Sequence, residues 1–133
     1  MEYAIRPIGH VRSSLGDRTN APRQPDEGAP DAWLDFDDDV RDALYGIEPG
    51  TDVLLLTWLH AADRTVLRTR PRDDPRRPET GVFATRSPDR PNPVGLHRVH
   101  VLEIDGTLVH VAHLEAIDGT PIVDVKTVLD GTR

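Results

Sequence analysis

"HRVHVLEIDGTLVHVAHLEAID", residues 97 to 118, sets Asp105-Gly106 between two runs in which apolar and polar residues alternate. Alternation is the period of a half-buried strand, and Asp-Gly is the composition that a two-residue primed hairpin turn requires. The pattern predicts a β-hairpin. A turn at Asp105-Gly106 pairs Leu102 with Val109 and Val101 with His110. It places Val99 and Val101 on one face and Leu102 and Ile104 on the other.

Working outward, a second "DGT" at 118–120 precedes "PIVDVKTV", which reads as a last strand. Upstream, "GVFATR" (81–86) reads as a strand entering the hairpin, and "DVLLLTWL" (52–59) as a strand buried on both faces that ends at His60. "RTVLRTRPR" (64–72) is a partner strand with alternating basic residues, followed by the polar loop "DDPRRPET" (73–80). "YAIRPIGHVRSS" (3–14) is a strand interrupted by Pro7, which lacks a ladder donor. Leu15 to Asp31 is a long loop without periodicity. In "DDDVRDALYGIEPG" (37–50), Val40, Leu44 and Ile47 fall at helical spacing before a Gly-Ile-Glu-Pro-Gly stop. Many short strands and one short helix, without strand–helix alternation, predict a mainly β fold: a small antiparallel β-barrel, not a Rossmann domain.

The 133 residues predict one domain over 1–133, with 37% hydrophobic residues gathered in runs. None of those runs approaches the ~20 residues of a membrane span, and "MEYAIRPIGH" lacks a signal peptide's regions, so the expected location is cytoplasmic and away from membranes. Without cysteine there is no disulfide framework, thiolate metal site or cysteine nucleophile. The net charge of -7 opposes non-specific phosphate binding, yet acids concentrate in "DAWLDFDDDVRD" (31–42) and arginines in the middle of the chain.

In "RSPDRPNP", Pro88, Pro91 and Pro93 fix three φ angles and hold Arg86, Ser87, Asp89, Arg90 and Asn92 in place before any ligand arrives. Arginine suits a carboxylate or phosphate, which makes Arg90 and Asn92 candidate substrate contacts. Asp124 and Lys126 share one strand face, as a surface ion pair or one wall of a site. A metal is not expected, because His97 and His100 differ in parity and point to opposite faces. His60 closes an apolar strand and enters a loop, where sites form. No "GxSxG" elbow or "GxxxxGK" loop occurs.

"PIGHVRSS" (7–14), "APRQ" (21–24), "GVFATRSPDRPNPVGL" (81–96) and "IDGTPIVDVK" (117–126), in this order, resemble the TrmO (TsaA-like) family. The resemblance implies a non-Rossmann β-barrel methyltransferase that uses S-adenosylmethionine and works as a homodimer. Its reaction would methylate the exocyclic nitrogen of threonylcarbamoyladenosine beside the tRNA anticodon. On this pattern Pro22, Arg23, Gln24, His60, Ala61, Arg86, Leu96, Ile117, Asp118, Gly119 and Thr120 contact the cofactor. The chain departs from the pattern at Asp52, where the family commonly has His, and at Thr127-Val128, where it commonly has Pro-Tyr; both positions are expected near the site.

Methyl transfer from a sulfonium requires in-line positioning, and a carbamoyl-substituted nitrogen benefits from a general base. The expected bases are His60 and Asp118, and Arg64, Arg68, Arg70 and Arg76 are expected phosphate contacts. The alternatives are methyl transfer to a small amine or imidazole, and a non-catalytic module that binds the cofactor.

Overall fold

The computed structural model describes residues 1–17 and 28–129. Six strands form a closed antiparallel barrel. They are β1 (Gly9–Arg12), β2 (Ala32–Phe36), β3 (Asp52–Trp58), β6 (Val94–Asp105), β7 (Leu108–Ala112) and β8 (Pro121–Thr127). Around the barrel the order is β1-β2-β7-β6-β3-β8, and β1 closes onto β8 through Gly9↔Ile122. β4 (Arg68–Thr69) and β5 (Thr80–Gly81) make a separate two-stranded ribbon.

Period-two alternation fills the barrel. Val11, Leu34, Phe36, Val53, Leu55, Val99, Val101, Val109, Val111 and Ile122 all point inward and form one buried cluster. Burying each such side chain contributes roughly 1.5–3 kcal/mol. At one end the inward stripe becomes polar, with Thr57 on β3 and His97 on β6 continuing the rows of Leu55 and Val99. Gly9 explains part of the opening motif: a Cβ there would come within 2.8 Å of Phe36 Cα, so only glycine lets β1 approach β2 this closely.

The hairpin turns one residue later than predicted. Asp105 pairs with Leu108, and the loop is Gly106-Thr107, with Gly106 at φ 63°. Val101 therefore faces Val111, and Leu102 is an extra residue between that pair and Glu103↔His110. This bulge reverses parity, so Leu102 is exposed while Ile104 packs against the core opposite Val109. A bulge adds the bend that a long strand needs to serve two neighbours of a closed barrel.

Other expectations change for local reasons. Residues 3–8 form no strand, although Ile8 still donates to Ile122 at 2.9 Å. β3 is fully buried on one face only, because its other face is the barrel's outer wall. Within 64–72 only Arg68–Thr69 is strand, and the segment starts in a turn in which the Asp63 carboxylate takes both the Thr65 amide (2.9 Å) and hydroxyl (2.6 Å). Residues Val82–Ala84 form a 3-10 turn rather than a strand, with Val82 O accepting from the Thr85 amide and hydroxyl. The helix at 37–50 is a 3-10 helix over Asp38–Leu44, and Val40, Leu44 and Ile47 cover part of the core. β2 was hidden in the acidic stretch: Ala32, Leu34 and Phe36 alternate inward between exposed acids and Trp33.

Candidate active site

The polar end of the barrel opens into a cleft of about 940 Å³. Its walls are Leu59–Ala62 beyond β3, the start of β6, the 84–90 loop, the ribbon around Thr69–Asp73, and residues 115–117 with Thr120. His60, Ala61, Arg86, Leu96, Ile117 and Thr120 are thus brought together around one space.

The proline-rich loop is held from inside. Arg90, which also lines the cleft, donates to Val82 O (2.8 Å), Ser87 O (2.9 Å) and Thr85 O (3.2 Å), so its guanidinium organises the loop's carbonyls. Asp89 accepts the Asp63 amide at 2.8 Å. Arg64 donates to Pro91 O at 2.7 Å and Asn92 Oδ1 at 3.0 Å while stacking over Trp58 at 5.0 Å. Arg64 and Asn92 are therefore engaged with each other, and neither lines the cleft. Against this fixed frame the side chains of Arg86 and His60 are exposed to the cleft and have no hydrogen-bond or ion-pair partner among the described residues. A preorganised cation without an internal partner is suited to a ligand carboxylate or phosphate.

The turn at 117–120 separates the cleft from a second, open depression of about 570 Å³ that Asp118 lines with His10, Arg12 and Trp33. Asp118 Oδ1 accepts the Ser13 amide at 3.0 Å, and the Gly119 amide donates to Val11 O at 2.7 Å with Gly119 at φ 83°. Asp118, expected as a base, thus ties β1 to this turn and lines the second depression rather than the cleft. Thr120 is buried and its hydroxyl donates to Ile117 O at 2.7 Å. Asp124 and Lys126 pair at 3.4 Å on the exposed wall, away from the cleft. Pro22, Arg23 and Gln24 lie outside the described residues.

Two ring-side residues were missed as functional groups. His97 sits 5% exposed at the cleft floor with Nδ1 2.5 Å from Glu115 Oε1 and Nε2 2.8 Å from Thr57 Oγ1. Gly95 makes room for them, since a Cβ there would lie 2.7 Å from His97 Nε2. The signal was present: His97 shares the inward parity of Val99 and Val101. Among the described residues no group of three His, Asp or Glu side chains is arranged to hold a metal.

The two departures from the family pattern are neighbours at the other end of the barrel. Val53, beside Asp52, pairs with Thr127. Asp52 accepts from His100 Nδ1 at 2.8 Å and Arg98 Nε at 2.9 Å, and these bonds, His100's first, hold its carboxyl below the usual carboxylate range. Neither position lines the cleft.

Fold and site define a small non-Rossmann β-barrel with a preformed cleft that presents an unpaired arginine beside apolar walls. Residues 10–132 match the tRNA-methyltransferase O N-terminal domain, and the chain belongs to that family. It is 43% identical over 126 residues to a probable S-adenosyl-L-methionine-binding protein of Methanothermobacter thermautotrophicus, covering 95% of this chain and 90% of that protein. It is 34% identical over 133 residues to a putative S-adenosylmethionine-dependent methyltransferase, RcsF, of Pseudomonas aeruginosa, covering 95% of this chain and 55% of that one. The crystal structure of TrmO from Pseudomonas aeruginosa superposes with a TM-score of 0.74 at 30% identity. That likeness covers 99% of this chain, which spans 60% of the solved one.

Proposed function

We propose that this chain is an S-adenosylmethionine-dependent methyltransferase acting on the exocyclic nitrogen of threonylcarbamoyladenosine beside the tRNA anticodon. The observation that carries the reading is Arg86, which lines the cleft without a partner among the described residues, on a loop whose other polar groups are engaged within the protein. Its guanidinium suits the cofactor's carboxylate, and Leu59, Leu96 and Ile117 offer the apolar surface an adenine ring requires. When bound, the cofactor supplies an electrophilic methyl group on a sulfonium. The chain's own task is orientation, which can supply several kcal/mol of the barrier.

The tRNA substrate is supported by the ribbon. Arg70, Arg72 and Arg77 line the cleft mouth, and Phe83, next in sequence to the cleft-lining Ala84–Arg86, is 82% exposed. Cations with an exposed aromatic ring fit a single-stranded loop whose bases are splayed out. Arg68 pairs with Glu79 and Arg76 with Asp74, so these two phosphate candidates hold the ribbon together in the free protein. Exposed Leu67 and Val94 support a homodimer that covers apolar surface beside the cleft. Because Asp52 and Thr127 stand at the far end of the barrel, they give no support to a small-amine acceptor.

The test is mass spectrometry of nucleosides from tRNA of a strain lacking this gene, with purified protein and S-adenosylmethionine added back. Loss of methylated threonylcarbamoyladenosine and its return on add-back is the expected result. Cofactor binding with that nucleoside unchanged would favour the binding-module reading that the names of several relatives suggest.

A further inference from the structure

We propose that Glu115 accepts the proton of the methyl-accepting nitrogen and that His97 and Thr57 hold it for this step; the inference rests on the methyl-transfer reading of the cleft. Glu115 and His97 both line the cleft, with side-chain exposures of 14% and 5%. Thr57, fully buried on β3, anchors the imidazole through Nε2 at 2.8 Å, and the imidazole Nδ1 sits 2.5 Å from Glu115 Oε1. Buried polar groups are normally all satisfied. One atom here is not: Glu115 Oε2 is buried and has no partner among the described residues.

An unmet acceptor under a ligand cleft is costly unless an arriving ligand brings a donor. The acceptor nitrogen carries such a donor, and its proton has to leave. As its lone pair forms the N–CH3 bond, the C–S bond breaks, and the sulfonium sulfur keeps that electron pair and becomes a neutral thioether. The N–H proton passes to Glu115 Oε2, which turns from carboxylate to carboxylic acid. With Glu115 ionised, His97 donates through Nδ1–H to Oε1 and takes the Thr57 hydroxyl at Nε2, a tautomer that leaves Oε2 as the open lone-pair site. The two bases expected from sequence are placed less well. Asp118 lies outside the cleft, and His60 is exposed at its mouth.

The test uses the full chain, S-adenosylmethionine, and tRNA carrying unmethylated threonylcarbamoyladenosine. In Glu115→Gln the cofactor Kd and tRNA KM stay within about threefold of wild type while kcat falls about 100-fold or more, the range of a lost general base. A kcat within about threefold of wild type overturns the proposal, and so does a weakened cofactor Kd with kcat retained. If Glu115→Gln fails to fold by circular dichroism, His97→Asn decides: kcat lowered about tenfold at unchanged cofactor affinity supports the positioning of Glu115 by His97, and unchanged kcat overturns it. A wild-type chain that binds the cofactor yet leaves this tRNA unmethylated removes the reading beneath the proposal, an outcome visible before any variant is made.

Discussion

The β3–β6 ladder runs from Asp52↔His100 to Trp58↔Val94, and its two ends treat polar side chains in opposite ways. At the Asp52 end the polar groups stand outside the barrel, where Asp52, Arg98 and His100 satisfy one another. At the Trp58 end Thr57 and His97 turn inward, join Glu115, and leave one carboxylate oxygen without a partner among the described residues. Arg86 and His60, on the cleft wall beside it, likewise have none among those residues. Strand parity decides which end is a surface and which is a site. A polar residue on the outward row meets water and needs only a weak pair, whereas one on the inward row must be completed by neighbours or by a ligand.

Between the ends, Leu55 is fully buried in the inward row between Val53 and Thr57, so Leu55→Ala should blur the contrast by loosening the barrel that supports both. The expected loss is about 2–5 kcal/mol in denaturant unfolding. Gly95→Ala acts at the cleft end alone. Its Cβ would sit 2.7 Å from His97 Nε2, and overpacking of this kind costs about 1–3 kcal/mol and should lower kcat by displacing the pair. Arg86→Ala leaves stability unchanged but weakens S-adenosylmethionine binding about 10- to 100-fold by calorimetry, the worth of a charged hydrogen bond.

The smallest effect belongs to the far end. Asp52 has its folded pKa depressed below 3.8, first by the His100 bond and then by Arg98, so its contribution is present above the unfolded value and lost as pH falls through the folded one. Asp52→Asn should therefore lower stability at pH 7 by less than about 1 kcal/mol, as exposed pairs do, and should converge with wild type as pH falls through the depressed folded value. Thermal unfolding across a series from pH 7 into the acid range checks this. Methyl transfer should be unaffected, and a cleft defect in Asp52→Asn would break the contrast between the ends.

The barrel was legible because Val99-Val101 on β6 and Val109-Val111 on β7 read as alternation without any structure, whereas the unbroken apolar run of β3 announced a strand but not which face turns inward. β2 was not, because Asp31, Asp35 and Trp33 interrupt the Ala32-Leu34-Phe36 row and composition there reads as acid. The hairpin register escaped because a bulge at Leu102 depends on barrel closure, which no local window contains. Within the site, the motif residues lining the cleft were legible through the resemblance, but the engagement of Arg90 and Asp118 with backbone groups is a tertiary property. The parity that placed His97 opposite in direction to His100 also placed it inside. Its partner Glu115 lies after β7, beyond the reach of that pattern.

Amide chemical shifts during titration with S-adenosylmethionine test most directly whether the Trp58 end of the ladder is the ligand end. Changes are expected at His60, Arg86, Leu96, His97, Glu115 and Ile117, with Asp52, Arg98 and His100 silent. Shifts centred on the Asp52 end, or on the depression beside Trp33 with the cleft silent, would contradict it.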